Sequence, residues 1–143
     1  MKHVYMMFSA LIAVVVILLQ VLSVQHILSD MRLLQHNTQS ICTSLPLLKH
    51  AVQRLNIDVV LLQEVWHPPD DFINIFQFNK PITKLRNGRQ GGGVAIITHK
   101  NVKTVHMKHY DVDGLEAVWA DVLCGRIRVL IGSVYIPPKL WIF

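Results

Sequence analysis

At 143 residues, with 52% hydrophobic and 16% charged positions, the chain is long enough for one domain with a sizeable core and too apolar to be disordered. The formal net charge of +5 fits a polyanionic partner such as nucleic acid or an acidic membrane face, although only Lys80 to Arg89 (KPITKLRNGR) gathers several cations. Two cysteines, Cys42 and Cys124, provide neither a metal-site spacing nor a disulfide framework; a reduced compartment is the expectation, with a single bridge between them left open.

Much of the apolar excess lies at the start. Val4 to Ser29 contains no Lys, Arg, Asp or Glu, and FSALIAVVVILLQVLSV is almost unbroken hydrocarbon, long enough to span a bilayer as a helix. Lys2 ahead of it and Ser23 as a small residue at a cleavage point fit a signal peptide or signal anchor. A buried element of a soluble core, or an upstream extension of the reading frame, is the alternative. The expectation is an N-terminal hydrophobic helix, with residues 4–24 available to a membrane, and a division of the chain into 1–29 and 30–143. Without membrane insertion the location would be nuclear or cytoplasmic.

Met31 to Ile41 (MRLLQHNTQSI) opens as an apolar strand that reaches Asn37, a residue type common at strand-end turns. Ser44 to Leu55 (SLPLLKHAVQRL) then sets Leu45, Leu48, Val52 and Leu55 opposite Lys49, His50, Gln53 and Arg54, the pattern of an amphipathic helix. Ser44 is its expected cap, and Pro46 is tolerated in a first turn, where its missing donor needs no partner. Asn56 to Trp66 (NIDVVLLQEVW) follows, a run whose Ile57, Val59, Val60, Leu61 and Leu62 read as a strand buried on both faces. Glu64 sits just past its end. An acid there is held by the core while its oxygens reach solvent, which is how a sheet presents a hard metal ligand; a solvated loop acid is the alternative. Strand, helix, strand normally gives parallel pairing, which would bring Asn37 and Glu64 out at one edge.

His67-Pro68-Pro69-Asp70-Asp71 is a loop, Phe72 to Phe78 a short strand, and Asn79 to Gly93 a basic loop ending in Gln90-Gly91-Gly92-Gly93. Without the Lys-Ser/Thr of a P-loop or a following helix, these glycines signal a phosphate cradle only weakly. Val94 to Thr98 is a strand. Val102 to Tyr110 and Leu115 to Leu123 alternate as strands, with Cys124-Gly125-Arg126 turning into Ile127 to Ile136, a β-meander. His99, His106 and His109 sit in this alternation rather than in a helical metal motif, and no metal role is assigned to them.

The run Asp58, Val59, Val60, Leu61, Leu62, Gln63, Glu64, Val65, Trp66 resembles the D-hydrophobic-hydrophobic-hydrophobic-L-Q-E-x-W pattern of the endonuclease/exonuclease/phosphatase (DNase I-like) family, and in particular the endonuclease domain of non-LTR retrotransposons. Gly91-Gly92-Gly93-Val94-Ala95-Ile96 and Val134-Tyr135-Ile136-Pro137-Pro138 are similar to two further family marks, in the family's order, although many members have Asn at the second Pro. The resemblance implies an α/β (α+β) fold, a partial two-layer β-sandwich with a flanking helix. It implies Mg²⁺ bound by Glu64, an orienting amide from Asn37, Tyr135 beside the phosphate, DNA as partner and phosphodiester cleavage as chemistry. It runs from about Met31 to Pro138. The family's later Asp-x-Asn, a further Asp and Ser-Asp-His are not found in these 143 residues, so the expectation is the N-terminal half of the fold, inactive alone. A membrane-anchored non-catalytic module and a secreted nuclease or phosphodiesterase are the alternatives. The oligomeric state is not legible.

Overall fold

In the computed structural model, residues 5–7, 17–18, 31–66, 68, 73–88, 91–125 and 127–137 are described. The elements are β1 (Tyr5–Met7), β2 (Ile17–Leu18), β3 (Leu33–Asn37), α1 (Ile41–Leu55), β4 (Val59–Gln63), β5 (Ile82–Lys84), β6 (Val94–Thr98), β7 (Lys103–His106), a short 3₁₀ turn (Lys108–Tyr110), β8 (Glu116–Cys124) and β9 (Ile127–Tyr135). They form a five-stranded sheet of order β1-β3-β4-β6-β5 and a four-stranded sheet of order β2-β9-β8-β7.

Side-chain parity explains the layering. Along β3, β4 and β6, alternate positions Leu33, Val59, Leu61, Val94 and Ile96 meet Val118, Ala120, Val122, Val129 and Ile131 of the second sheet. The intervening Leu34, Val60, Leu62, Ala95 and Ile97 meet Ile41, Leu45, Leu48 and Val52 on α1. β4 therefore lies between a helix and a sheet, which is why all its residues are apolar up to Gln63 and all are buried. Each such aliphatic side chain contributes about 1.5–3 kcal/mol by burial. The mixed α/β sandwich with a flanking helix accords with the expected partial fold.

β3 and β4 pair in parallel, with Asn37 opposite Gln63, and β4 pairs antiparallel with β6. The acid at the start of the motif, Asp58, fastens the parallel pair. Its Oδ2 accepts the Arg32 backbone N–H at 2.7 Å, and its own N–H donates to the Arg32 carbonyl at 2.8 Å.

Several sequence expectations are corrected. α1 begins at Ile41, not Ser44, and Ser40 at its N-cap makes no side-chain capping bond. Ile41 is fully buried and its N–H donates to the Val65 carbonyl, so packing on the next strand extends the helix past the polar signal at Ser44. Ser44 lies within the helix, its hydroxyl donating to the Ser40 carbonyl, and Pro46 lies beyond the first turn. Of the strand expected at Phe72 to Phe78, Phe72 lies outside the described residues and the rest forms an isolated bridge between Phe78 and His99; Ile73 and Ile75 do alternate into the core, but Phe78 turns back to donate to the Ile75 carbonyl. The loop expected at Asn79 to Gly93 contains β5, paired antiparallel to β6. Val102 to Tyr110 is a four-residue strand followed by the 3₁₀ turn. The meander of β8 and β9 is in register from Glu116 opposite Tyr135 to Cys124 opposite Ile127.

Of the apolar N-terminal stretch, the two described pieces are strands: β1 runs parallel to β3, and β2 antiparallel to β9. The rest of the expected hydrophobic helix lies outside the described residues, and among the described residues no helix is long and apolar enough to cross a membrane. Cys42 is free and exposed on α1.

Candidate functional site

Asn37, Glu64 and Tyr135 come from three strand ends and meet at one rim of the sandwich. Asn37 follows Leu33 and Gln35 at a period of two, which puts its side chain on the inter-sheet face, and it is buried. In a continuing strand Glu64 would follow Leu62 toward α1. Instead the backbone leaves the strand at Glu64 with φ of 52°, and the carboxylate reaches the other way. Its Oε1 accepts from the Asn37 Nδ2 at 3.2 Å, and the Tyr135 hydroxyl hydrogen-bonds with the same carboxylate.

A left-handed conformation at a non-glycine residue costs about 1–2 kcal/mol. Here it is held by bonds from both sides. The Glu64 carbonyl accepts from the Ser40 N–H at 3.0 Å and from the Thr38 hydroxyl at 2.8 Å; the Val65 N–H donates to the Gly93 carbonyl at 3.2 Å, and the Trp66 N–H to the Gly92 carbonyl at 2.8 Å. The loop carrying the acid is thus stitched to the chain after β3 and to the glycine run before β6.

Burial and the neighbouring Glu64 carboxylate raise the Tyr135 phenol from 10.0 to about 12, with a smaller opposing pull from the Arg86 guanidinium. Tyr135 is therefore a protonated donor at neutral pH. His36, on the α1 side of β3, has its pKa lowered by burial, and its Nδ1 is enclosed without a hydrogen-bond partner.

Sequence reasoning missed a second group at this rim. Arg86 Nε donates to Glu116 Oε1 at 2.5 Å, Glu116 Oε2 accepts the Gly93 N–H at 2.6 Å, and the Arg86 Cζ lies 5.7 Å from the Tyr135 ring centroid. Glu116 is there because it pairs directly across from Tyr135 in the β8–β9 register. The pair also explains the glycine run, read from sequence as a turn alone: a Cβ at Gly92 would come within 2.5 Å of both Arg86 Cζ and Glu116 Oε2. Only the alternation of β8 with the run of basic residues before the glycines hinted at such a pair.

Gln63, the middle letter of the LQE motif, faces inward. Gln35 donates to its side-chain carbonyl, its Nε2 donates to Ser133 Oγ at 3.0 Å, and Ser133 donates to the Leu62 carbonyl at 2.9 Å, all buried. This polar ladder joins the two sheets directly beneath the rim, where an apolar side chain would leave the others unpaired.

The remaining sequence candidates lie apart from this rim. His106 bonds Asp111 at 2.8 Å, His99 packs edge-on against Phe78, and His109 lies tilted against Tyr110. The basic segment is dispersed as well: Lys84 donates to the Val112 carbonyl, Arg86 joins the rim, and Arg89 lies outside the described residues. Among the described residues no three His, Cys, Asp or Glu side chains converge on a metal position. With Glu116 committed through both oxygens, the other rim carboxylate among the described residues is Glu64, held by Asn37 and Tyr135. One carboxylate suits Mg²⁺, which keeps several waters and takes further ligands from substrate phosphates, better than it suits a cation needing a full protein cage.

Comparison of the chain with curated proteins and with solved structures returned no match. The family model described as endonuclease/exonuclease/phosphatase family matches residues 34–141, which takes in α1, both sheets from β3 onward and every residue of the rim. The chain belongs to the endonuclease/exonuclease/phosphatase family.

Proposed function

We propose that this chain derives from a Mg²⁺-dependent, DNA-cleaving endonuclease domain of the kind found in non-LTR retrotransposons, and that these 143 residues bind the metal weakly and do not cleave DNA alone. The observation that supports the reading is the convergence of Asn37, Glu64 and Tyr135 on one carboxylate-centred rim.

In this reading Glu64 is the protein's carboxylate ligand to Mg²⁺, whose bound form would polarise a phosphate oxygen. Asn37 holds the carboxylate in one orientation through its amide. Tyr135, kept protonated well above neutral pH, supplies a donor to a phosphate oxygen or to Glu64. Cleavage also needs a group that accepts a proton from the attacking water, and among the described residues of this rim Glu116 is engaged with Arg86 and the Gly93 amide. That shortfall is the reason for proposing binding without turnover.

The test is a pair of measurements on the whole chain. Calorimetric titration with Mg²⁺ is expected to show weak binding that Glu64→Gln abolishes, and supercoiled plasmid incubated with Mg²⁺ is expected to stay intact. Nicking that disappears in Glu64→Ala would overturn the inactivity, and Mg²⁺ binding untouched by Glu64→Gln would overturn the site.

A further inference from the structure

We propose that Arg86 is a phosphate-contacting residue of this rim, a guanidinium held by Glu116 so that its fork meets a phosphodiester oxygen of nucleic acid. The inference rests on the reading of the rim as a phosphodiester site, and it adds a cation that the sequence motifs do not name.

Three observations carry it. First, the guanidinium is anchored by one donor only: Nε is bonded to Glu116, whose other oxygen is fixed by the Gly93 N–H. The carboxylate works as a bracket that sets the orientation of the arginine rather than as a bidentate partner that uses up its fork. Second, Arg86 Nη2 is enclosed and has no hydrogen-bond partner. A charged donor in that state is unfavourable, and an anionic acceptor relieves it. Third, the Arg86 Cζ lies 5.7 Å from the centroid of the Tyr135 ring, whose hydroxyl bonds Glu64, so one aromatic ring links the arginine to the Asn37–Glu64 pair.

The chemistry of the residue matches the task. A planar guanidinium remains charged at all relevant pH and offers parallel donors suited to two phosphate oxygens, which a lysine ammonium does not. Two other described arginines are engaged differently: Arg32 donates to the Leu55 carbonyl, and Arg128 pairs with Asp121 near the hairpin at the opposite end of β9. Gly92 is then required by function as well as by turn geometry, because its missing side chain is the space the bracket occupies.

The experiment measures binding of the whole chain to a short fluorescent DNA duplex in EDTA over a range of salt concentrations, so that no step depends on a metal at Glu64. Each phosphate contact contributes about 0.9 to the slope of log K against log salt. Arg86→Met is expected to weaken binding several-fold and to lower that slope by about one. Arg128→Met, which removes the same charge at the far end of β9, is expected to leave the slope unchanged. Should the Met variant fail to fold by thermal melting, Arg86→Gln, which keeps a donor toward Glu116, takes its place with the same expected slope. Equal slopes for wild type and Arg86→Met, equal losses for Arg86→Met and Arg128→Met, or no binding of the duplex by the wild type at low salt would each overturn the assignment. An unchanged slope alongside Mg²⁺ binding that depends on Glu64 would remove Arg86 and leave the metal reading standing; a lowered slope without such Mg²⁺ binding would do the reverse.

Discussion

The Asn37 amide donates to Glu64 Oε1 at 3.2 Å across 27 positions of sequence, so the orientation of this rim carboxylate is set by the strand beside it. Asn37 is itself held, its Oδ1 accepting from the Gln39 N–H at 3.3 Å. The parallel pairing of β3 with β4 makes the contact possible, since both strands end at the same edge.

Asn37→Ala is therefore expected to cost about 1–3 kcal/mol in urea unfolding, because the amide is buried and its partners lose their bonds. It is also expected to weaken Mg²⁺ binding at Glu64 without changing the near-UV dichroism of the core. Mg²⁺ affinity equal to wild type in a folded Asn37→Ala chain would show that the amide does not position the acid.

High pH provides a second test. The Tyr135 phenol titrates near 12 in the folded chain against 10.0 for an ordinary tyrosine, so between these values the folded state holds a proton that the unfolded state has lost. The stability contributed by this group is fully present below pH 10 and declines as pH rises toward 12. Unfolding midpoints followed through that window should fall more steeply for wild type than for Tyr135→Phe. Matching slopes would contradict the assignment.

At the acid end His36 acts in the opposite sense. Burial lowers its pKa below 6.5, so on acidification the unfolded chain takes up a proton before the folded chain does. Its stabilising contribution is present above 6.5 and declines as pH falls below that value. His36→Gln should flatten the acid limb of the stability profile, measured by urea titration at successive pH values; an unaltered limb would rule His36 out as its source.

Glycines at two positions separate backbone cost from steric cost. Gly88 and Gly92 have φ of 74° and 69°, but a Cβ meets nothing within 4 Å at Gly88 and meets the Arg86–Glu116 pair at 2.5 Å at Gly92. Gly88→Ala is expected to lose only the conformational term, about 1–2 kcal/mol. Gly92→Ala should lose that amount and also displace the pair, which a double-mutant cycle with Glu116→Gln would reveal as coupling of about 0.5–3 kcal/mol. Additive effects would mean that the pair does not occupy the glycine's space.

Beneath the rim, Ser133→Ala removes the partner of Gln63 Nε2 and the donor to the Leu62 carbonyl, both in full burial. We expect a loss of about 1–3 kcal/mol, with the Gln63→Leu, Ser133→Ala double variant less unstable than the sum of the two single changes. Strict additivity in chemical denaturation would show that the two side chains are energetically independent.

Local pattern alone was enough to locate β3, β4, β6, β8 and β9 and the amphipathic face of α1, because burial on one or both faces writes a period of two or a continuous apolar run directly into the residue order. The convergence of Asn37 with Glu64 was legible for the same reason, since a strand, helix, strand unit leaves little choice of pairing. Other features depended on contacts between distant residues. Ile41 was recruited into α1 by the Val65 carbonyl, a short edge strand formed at Ile82–Lys84 against β6, and the apolar run near the start contributed strands at Tyr5–Met7 and Ile17–Leu18 where hydropathy indicated a helix. The Arg86–Glu116 bracket was likewise invisible to pattern, since it joins positions 30 apart whose meeting is set by the register of β8 on β9 and by the space left at Gly92.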